Sequence, residues 1–103
     1  MSYNINLQQI ADDLGFDLED VEMLFEVFIN DAKESLLNLK EAIYINDLDL
    51  IFTFAHSIKG SSANLMLTDI SNIAKEIEHG AKEKKSIEYS KLFENLQTQI
   101  ENI

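Results

Sequence analysis

His56 is followed three residues later by Lys59, with Gly60 next, in the run FTFAHSIKGSSANL from Phe52 to Leu65. An exposed neutral imidazole has a free nitrogen lone pair and can act as a nucleophile. A lysine at i+3 shares its helix face, so its ammonium can sit beside any group the imidazole receives. Two opposite unit charges about 4 Å apart attract by roughly 1 kcal/mol in water and about 4 kcal/mol at an intermediate dielectric. An anionic group suits this pair best, and phosphoryl is the first candidate. The glycine costs a helix roughly 1 kcal/mol relative to alanine. Such a defect beside a nucleophile is expected where something must approach the backbone closely.

The surrounding pattern is helical. At about 100° per residue, Leu48, Ile51, Ala55, Ile58, Ser62 and Leu65 make one apolar stripe. His56 falls nearly opposite Ile58 and so faces solvent. Phe52 lies one turn before it, Lys59 and Gly60 one turn after, and Ala63 two turns on, along the same line. The spacing predicts a helix from Asp47 to about Asn64.

Other segments behave alike. Asn6 is a suitable cap for a short helix that Gly15 ends. Asp17 begins a long second helix with Glu19 and Asp20 in its first turn, where the helix dipole favours negative charge. Leu18, Val21, Phe25, Phe28, Ala32, Leu36, Leu39 and Ile43 form its stripe. Thr68 is the expected cap of a fourth helix carrying Ile70, Ile73, Ala74 and Ile77. Ser86 is the expected cap of a last one carrying Tyr89, Phe93, Leu96, Ile100 and Ile103. Four amphipathic helices of about 16 to 26 residues with short loops imply antiparallel neighbours. The expected fold is all-α: an up-down-up-down four-helix bundle with a short extra N-terminal helix, in one domain over residues 1–103.

Composition excludes several functions. The 103 residues include no cysteine or proline, and the formal net charge is −11. Disulfides, thiolate metal sites and thiol nucleophiles are therefore ruled out. Eight Lys and Arg among nineteen acids argue against nucleic acid and anionic membranes as partners. No apolar run is long enough to span a bilayer, so a cytoplasmic protein is expected. His56 and His79, without a carboxylate cluster on a shared face, do not suggest a metal centre. No cofactor is expected.

The stretch AHSIKGSSANL resembles the signature H-x-x-K-G-[SA]-[SA] of histidine-containing phosphotransfer (HPt) domains. His56, Lys59, Gly60, Ser61 and Ser62 match it position by position. The resemblance implies a helical bundle in which His56 takes a phosphoryl group from a receiver-domain aspartate and passes it to another receiver. Lys59 would stabilise that group and Gly60 would admit the receiver surface. Such domains have no nucleotide site of their own, and this chain lacks a glycine-rich phosphate loop. A phosphocarrier rather than an enzyme is thus implied, with receiver domains of response regulators or hybrid sensor kinases as partners and a monomeric chain. Many members have glycine ten residues after the histidine, where this chain has Met66. That departure concerns the loop after the motif.

Phe52, Ser61 and Ala63 are the candidate partner-binding residues. Phe52 lies beside His56 and could either dock a partner or cover a helix junction. Ser62 falls on the core stripe, where bonding to the preceding turn's carbonyl is expected. His79 reads as an ordinary exposed residue near a helix end. Lys82, Lys84 and Lys85 read as a solvated helix terminus that could steer an acidic partner. Two other readings fit the same surface: an adaptor whose histidine is never phosphorylated, and the phosphoacceptor domain of a chemotaxis-type histidine kinase.

Overall fold

The computed structural model describes residues 3–103, which form five helices: α1 (Leu7–Leu14), α2 (Leu18–Tyr44), α3 (Leu48–Asn64), α4 (Thr68–Lys82) and α5 (Tyr89–Glu101). α2 is the spine. Its 27 residues extend about 40 Å, nearly the full 42 Å length of the molecule. α2 packs on α3, α3 on α4, α4 on α5 and α5 back on α2, while α1 lies against α2. This is the antiparallel bundle with an extra N-terminal helix that the apolar spacing implies.

The first four helices end the same way. In each, the residue at C′ has a left-handed backbone: Gly15 (φ 73°), Asn46 (58°), Met66 (59°) and Lys84 (54°). In each, the next amide bonds back five residues: Phe16 to Ala11, Asp47 to Ala42, Leu67 to Ser62 and Lys85 to Gly80. This 6→1 bond, with the 5→2 bond inside it, satisfies carbonyls that a helix end would leave orphaned. Met66 therefore keeps the backbone that glycine would adopt freely. A side chain there costs about 1–2 kcal/mol.

Helix starts depart from expectation in several places. The Asn6 side chain caps α1 as expected, accepting from the Gln9 amide at 3.0 Å, while Asp47, the expected first residue of α3, instead caps it by accepting from the Leu50 amide at 3.2 Å. Asp17 occupies its cap position without a side-chain bond. Thr68 is instead the first residue within α4, because the Schellman turn brings Leu67 to the cap position. Ser86 lies in the α4–α5 connection, and Glu88 occupies the cap position of α5 without a side-chain bond. α5 has 13 residues and α4 has 15, both shorter than the spacing implies.

The stripes meet in one core. Val21, Phe25, Leu39, Ile51, Ile58, Ile77 and Leu96 are fully buried, each stabilising the fold by roughly 1.5–3 kcal/mol. Leu18 leaves the expected stripe and is exposed, while Ala42 joins it. The N-terminal segment is tied down by Tyr3 against Phe25 (ring centroids 4.9 Å apart) and by the Asn4 amide donating to the Ile103 carbonyl at 2.7 Å. No helix among the described residues is long and apolar enough to cross a membrane.

Candidate functional site

α3 is held on both flanks, and its apolar stripe fixes its rotation. Ile51, Ala55, Ile58 and Ser62 face inward, which turns His56 outward. The His56 side chain is 61% exposed. Ser62 is wholly buried yet satisfied, its hydroxyl donating to the Ile58 carbonyl at 2.6 Å. Ser71 on α4 donates to the Lys59 carbonyl at 3.3 Å, which pins α4 beside the site.

Phe52, one turn before His56, is half-buried and stacks on the imidazole with centroids 5.7 Å apart and planes 13° off parallel. Lys59 is one turn after. Gly60 is exposed, and a Cβ built on it meets nothing within 4 Å. Ala63 is exposed on the His56 line. Ser61 lies about 140° round the helix from His56, and its hydroxyl donates to the Ser57 carbonyl at 3.0 Å. It does not join the cluster around the imidazole. His79 and Lys82, Lys84 and Lys85 are exposed on α4 and the segment after it.

One member of the site comes from elsewhere in the chain. Glu78 on α4 places one carboxylate oxygen on His56 Nδ1 and the other within 2.8 Å of Lys59 Nζ. Its side chain is only 12% exposed. Partial burial alone would raise the Glu78 carboxyl. The hydrogen bonds from Lys59 and His56, with their charges, outweigh it and hold the group below the ordinary glutamate range. Nothing in the α3 motif points to Glu78. The only local sign is a carboxylate beside Ile77, at the margin of the α4 core stripe.

The carboxylate has a chemical consequence. A carboxylate accepts, so Nδ1 is the donor, and the neutral ring then carries its lone pair on Nε2. Nδ1 faces α4 and is engaged, which leaves Nε2 as the nitrogen open to a partner. Lys59 stands one turn away with its ammonium held by the same carboxylate. The described residues contain no group of three or more His, Cys, Asp or Glu that could hold a metal ion.

A helical bundle that displays one outward, oriented histidine with a lysine one turn on is the arrangement of a histidine phosphotransfer module. The family model for the Hpt domain matches residues 23–103, and the chain belongs to that family, whose members carry phosphoryl groups in phosphorelay signalling. Its fold is similar to that of histidine-containing phosphotransfer protein B (HptB) from Pseudomonas aeruginosa PAO1. The TM-score is 0.79 at 23% identity, over 91% of this chain and 79% of that one. No curated protein gives a significant match.

Proposed function

We propose that His56 is the phosphorylated residue, taking its phosphoryl group from the aspartyl phosphate of a receiver domain and giving it to a second receiver aspartate. The observation that carries this reading is the grip of Glu78 on Nδ1, which leaves an outward Nε2 lone pair. In the forward step Nε2 attacks phosphorus in line. The N–P bond forms, the P–O bond to the aspartyl carboxyl breaks, and that carboxylate leaves with the bonding pair. The Nδ1 proton stays, and the positive charge that develops on the ring is met by the Glu78 carboxylate. The return step reverses these bond changes on a different aspartate. Because little covalent work falls to the protein, positioning and charge stabilisation are its contribution.

Lys59 neutralises the transferred group. Gly60 and Ala63 keep the approach low, and Phe52 holds the ring plane while offering an apolar contact to the incoming surface. Ser61, the other expected contact residue, is turned about 140° from His56 and bonded to its own helix, so it takes no part in that surface. The free energy for transfer resides in the acyl phosphate of the partner, so the chain acts as a carrier and needs no nucleotide site. The same proposal takes the chain as one cytoplasmic bundle domain, monomeric, with receiver domains as partners and neither membrane nor nucleic acid.

The test is incubation of the full chain with a panel of phosphorylated receiver domains. Acid-labile, alkali-stable phosphate is expected, mapping to His56 by mass spectrometry, with none in His56→Gln. Absence of phosphohistidine with every receiver would instead leave the bundle as an adaptor.

A further inference from the structure

The edge of the bundle opposite the α3–α4 site carries large apolar side chains with no partner. Leu37 is 70% exposed and Tyr44 89%. Leu37 and Tyr44 are two turns apart on one ridge of α2, beside a channel between α2 and α5. Two adjoining hollows make up that channel, and Leu37, Lys40, Phe93 and Gln97 line both. An exposed apolar ridge beside an apolar channel is an uncommon surface for a chain with a formal charge of −11, and such patches mark interaction sites.

The charges on the two lips are ordered. Lys33 and Lys40 stand on α2, seven residues apart. Glu94 and Glu101 stand on α5, also seven apart. Antiparallel packing puts them level: one hollow is bordered by Lys40 and Glu94, the other by Lys33 and Glu101. Among the described residues these four form no ion pair with one another, so each is available to a ligand. Glu41 borders the first hollow too, and exposed Asp31 and Glu34 lie on the side of Leu37 away from α5, so Lys33 and Lys40 are a cationic pair on the channel side of the ridge, with acidic residues on its other side.

We propose that this channel seats one amphipathic helix of another protein, with its apolar stripe on Leu37, Tyr44 and Phe93, an acidic edge along Lys33 and Lys40, and a basic edge along Glu94 and Glu101. Seven residues of helix are two turns, about 10.5 Å, so side chains repeating every seven residues on the ligand meet both pairs in register. A helix is convex and about 10–12 Å wide, the shape that fills a channel between two helices. A second copy of this chain is the poorer occupant. It would set another net charge of −11 against the first. The channel lies across the bundle from His56, so an anchored partner leaves the histidine free for a receiver.

The test uses the full ¹⁵N-labelled chain and three synthetic 18-residue helical peptides with the same leucine stripe. One has a glutamate edge and a lysine edge, one has glutamate on both edges, and one has lysine on both. The mixed peptide is expected to move the amide signals of α2 and α5 around Leu37, Tyr44, Phe93 and Gln97. In the double variant Lys33→Glu, Lys40→Glu, its affinity should fall by about two- to thirtyfold, and that of the all-lysine-edged peptide should rise by a similar factor. Leu37→Ser with Tyr44→Ser should abolish binding of all three while phosphorylation of His56 stays unchanged. The proposal is overturned if no peptide moves α2 and α5 signals, or if charge reversal changes all three affinities by the same factor. A concentration-dependent dimer broken by Leu37→Ser in sedimentation would also overturn it, by giving the channel to a second copy.

Discussion

On α3, Gly60 lies one turn beyond His56, and a Cβ added there meets nothing within 4 Å. On α4, Gly80 directly follows His79, and a Cβ added there comes within 2.6 Å of Ile87 Cδ1 and 3.3 Å of the Tyr89 hydroxyl oxygen. The same two residue types serve opposite ends. Gly80 is buried where the α4–α5 connection folds back, and Tyr89 locks that connection by donating to the Lys85 carbonyl at 2.8 Å. Gly60 weakens its helix and gains no packing in return. The histidines differ in the same sense. His56 is oriented by Glu78 and Phe52, whereas His79 makes no side-chain hydrogen bond or ion pair among the described residues. A helix defect without a packing reason, next to an oriented histidine, is what the proposed role of Gly60 in partner access requires.

The largest expected effect separates the two histidines. His56→Gln should abolish phosphohistidine formation and leave the bundle folded, because the side chain lies off the core. His79→Gln should leave labelling within about twofold of wild type, as expected for a surface substitution. Labelling lost in His79→Gln and kept in His56→Gln would invert the comparison.

Lys59→Ala comes next. With its ammonium gone, the phosphoryl group faces Glu78 without a neutralising charge. Transfer should slow and phosphohistidine should become shorter-lived. The loss should be one to a few kcal/mol, or roughly tenfold to a few hundredfold. Stopped-flow transfer and a decay assay measure the two quantities. If both stay at wild-type values, Lys59 is a solvated surface residue and the site reduces to His56 and Glu78.

The legible and illegible parts of this site differ in sequence distance. His56, Lys59, Gly60, Phe52 and Ala63 sit on one helix, and helical spacing alone gives their mutual placement. Glu78 is 22 residues from His56, and its contact depends on the register of α3 against α4, which is set by Ile51, Ile58, Ala74 and Ile77 packing together. No local spacing encodes that register. The bundle was readable because its apolar stripes are regular. Thr68 and Ser86 do not cap, because the turns before α4 and α5 are set by backbone bonding and by Ile87 and Tyr89 packing, which override side-chain capping preference. The role of Gly80 was hidden for the same reason: the residues that crowd it come from beyond the end of its own helix.

A pH measurement probes the engaged end of the comparison. The Glu78 carboxyl is held below its ordinary value of 4.5 in the folded chain. Its contribution is therefore fully present above that value and is lost as pH falls through the lower folded value. At neutral pH, Glu78→Gln should lower stability by about 1 kcal/mol, given hydrogen bonds to a charged acceptor that is partly open to solvent. The gap between wild type and variant should close as pH drops below about 4.5, as measured by urea unfolding. A gap independent of pH would show that the carboxylate charge is not what holds His56 and Lys59.

The smallest effect is the sharpest comparison, because it makes the same substitution at both glycines. Gly60→Ala should raise stability by up to about 1 kcal/mol, since alanine is the better helix former and nothing opposes its methyl group. Gly80→Ala has the same propensity gain, but Ile87 must swing aside and the Tyr89 ring must give. Crowding of that kind costs about 1–3 kcal/mol in a packed core. Ile87 is 38% exposed and can yield, so the cost should fall near the lower limit and cancel the gain or slightly exceed it. Denaturant unfolding of both variants measures the difference. Equal stabilisation would show that Gly80 is not a packing glycine, and destabilisation by Gly60→Ala would show that Gly60 is one. Gly60→Gln completes the set: it should fold normally, yet bind a receiver more weakly, because its side chain stands beside His56 where the partner approaches. Undiminished receiver affinity and transfer rate in that variant would remove access as the reason for the glycine.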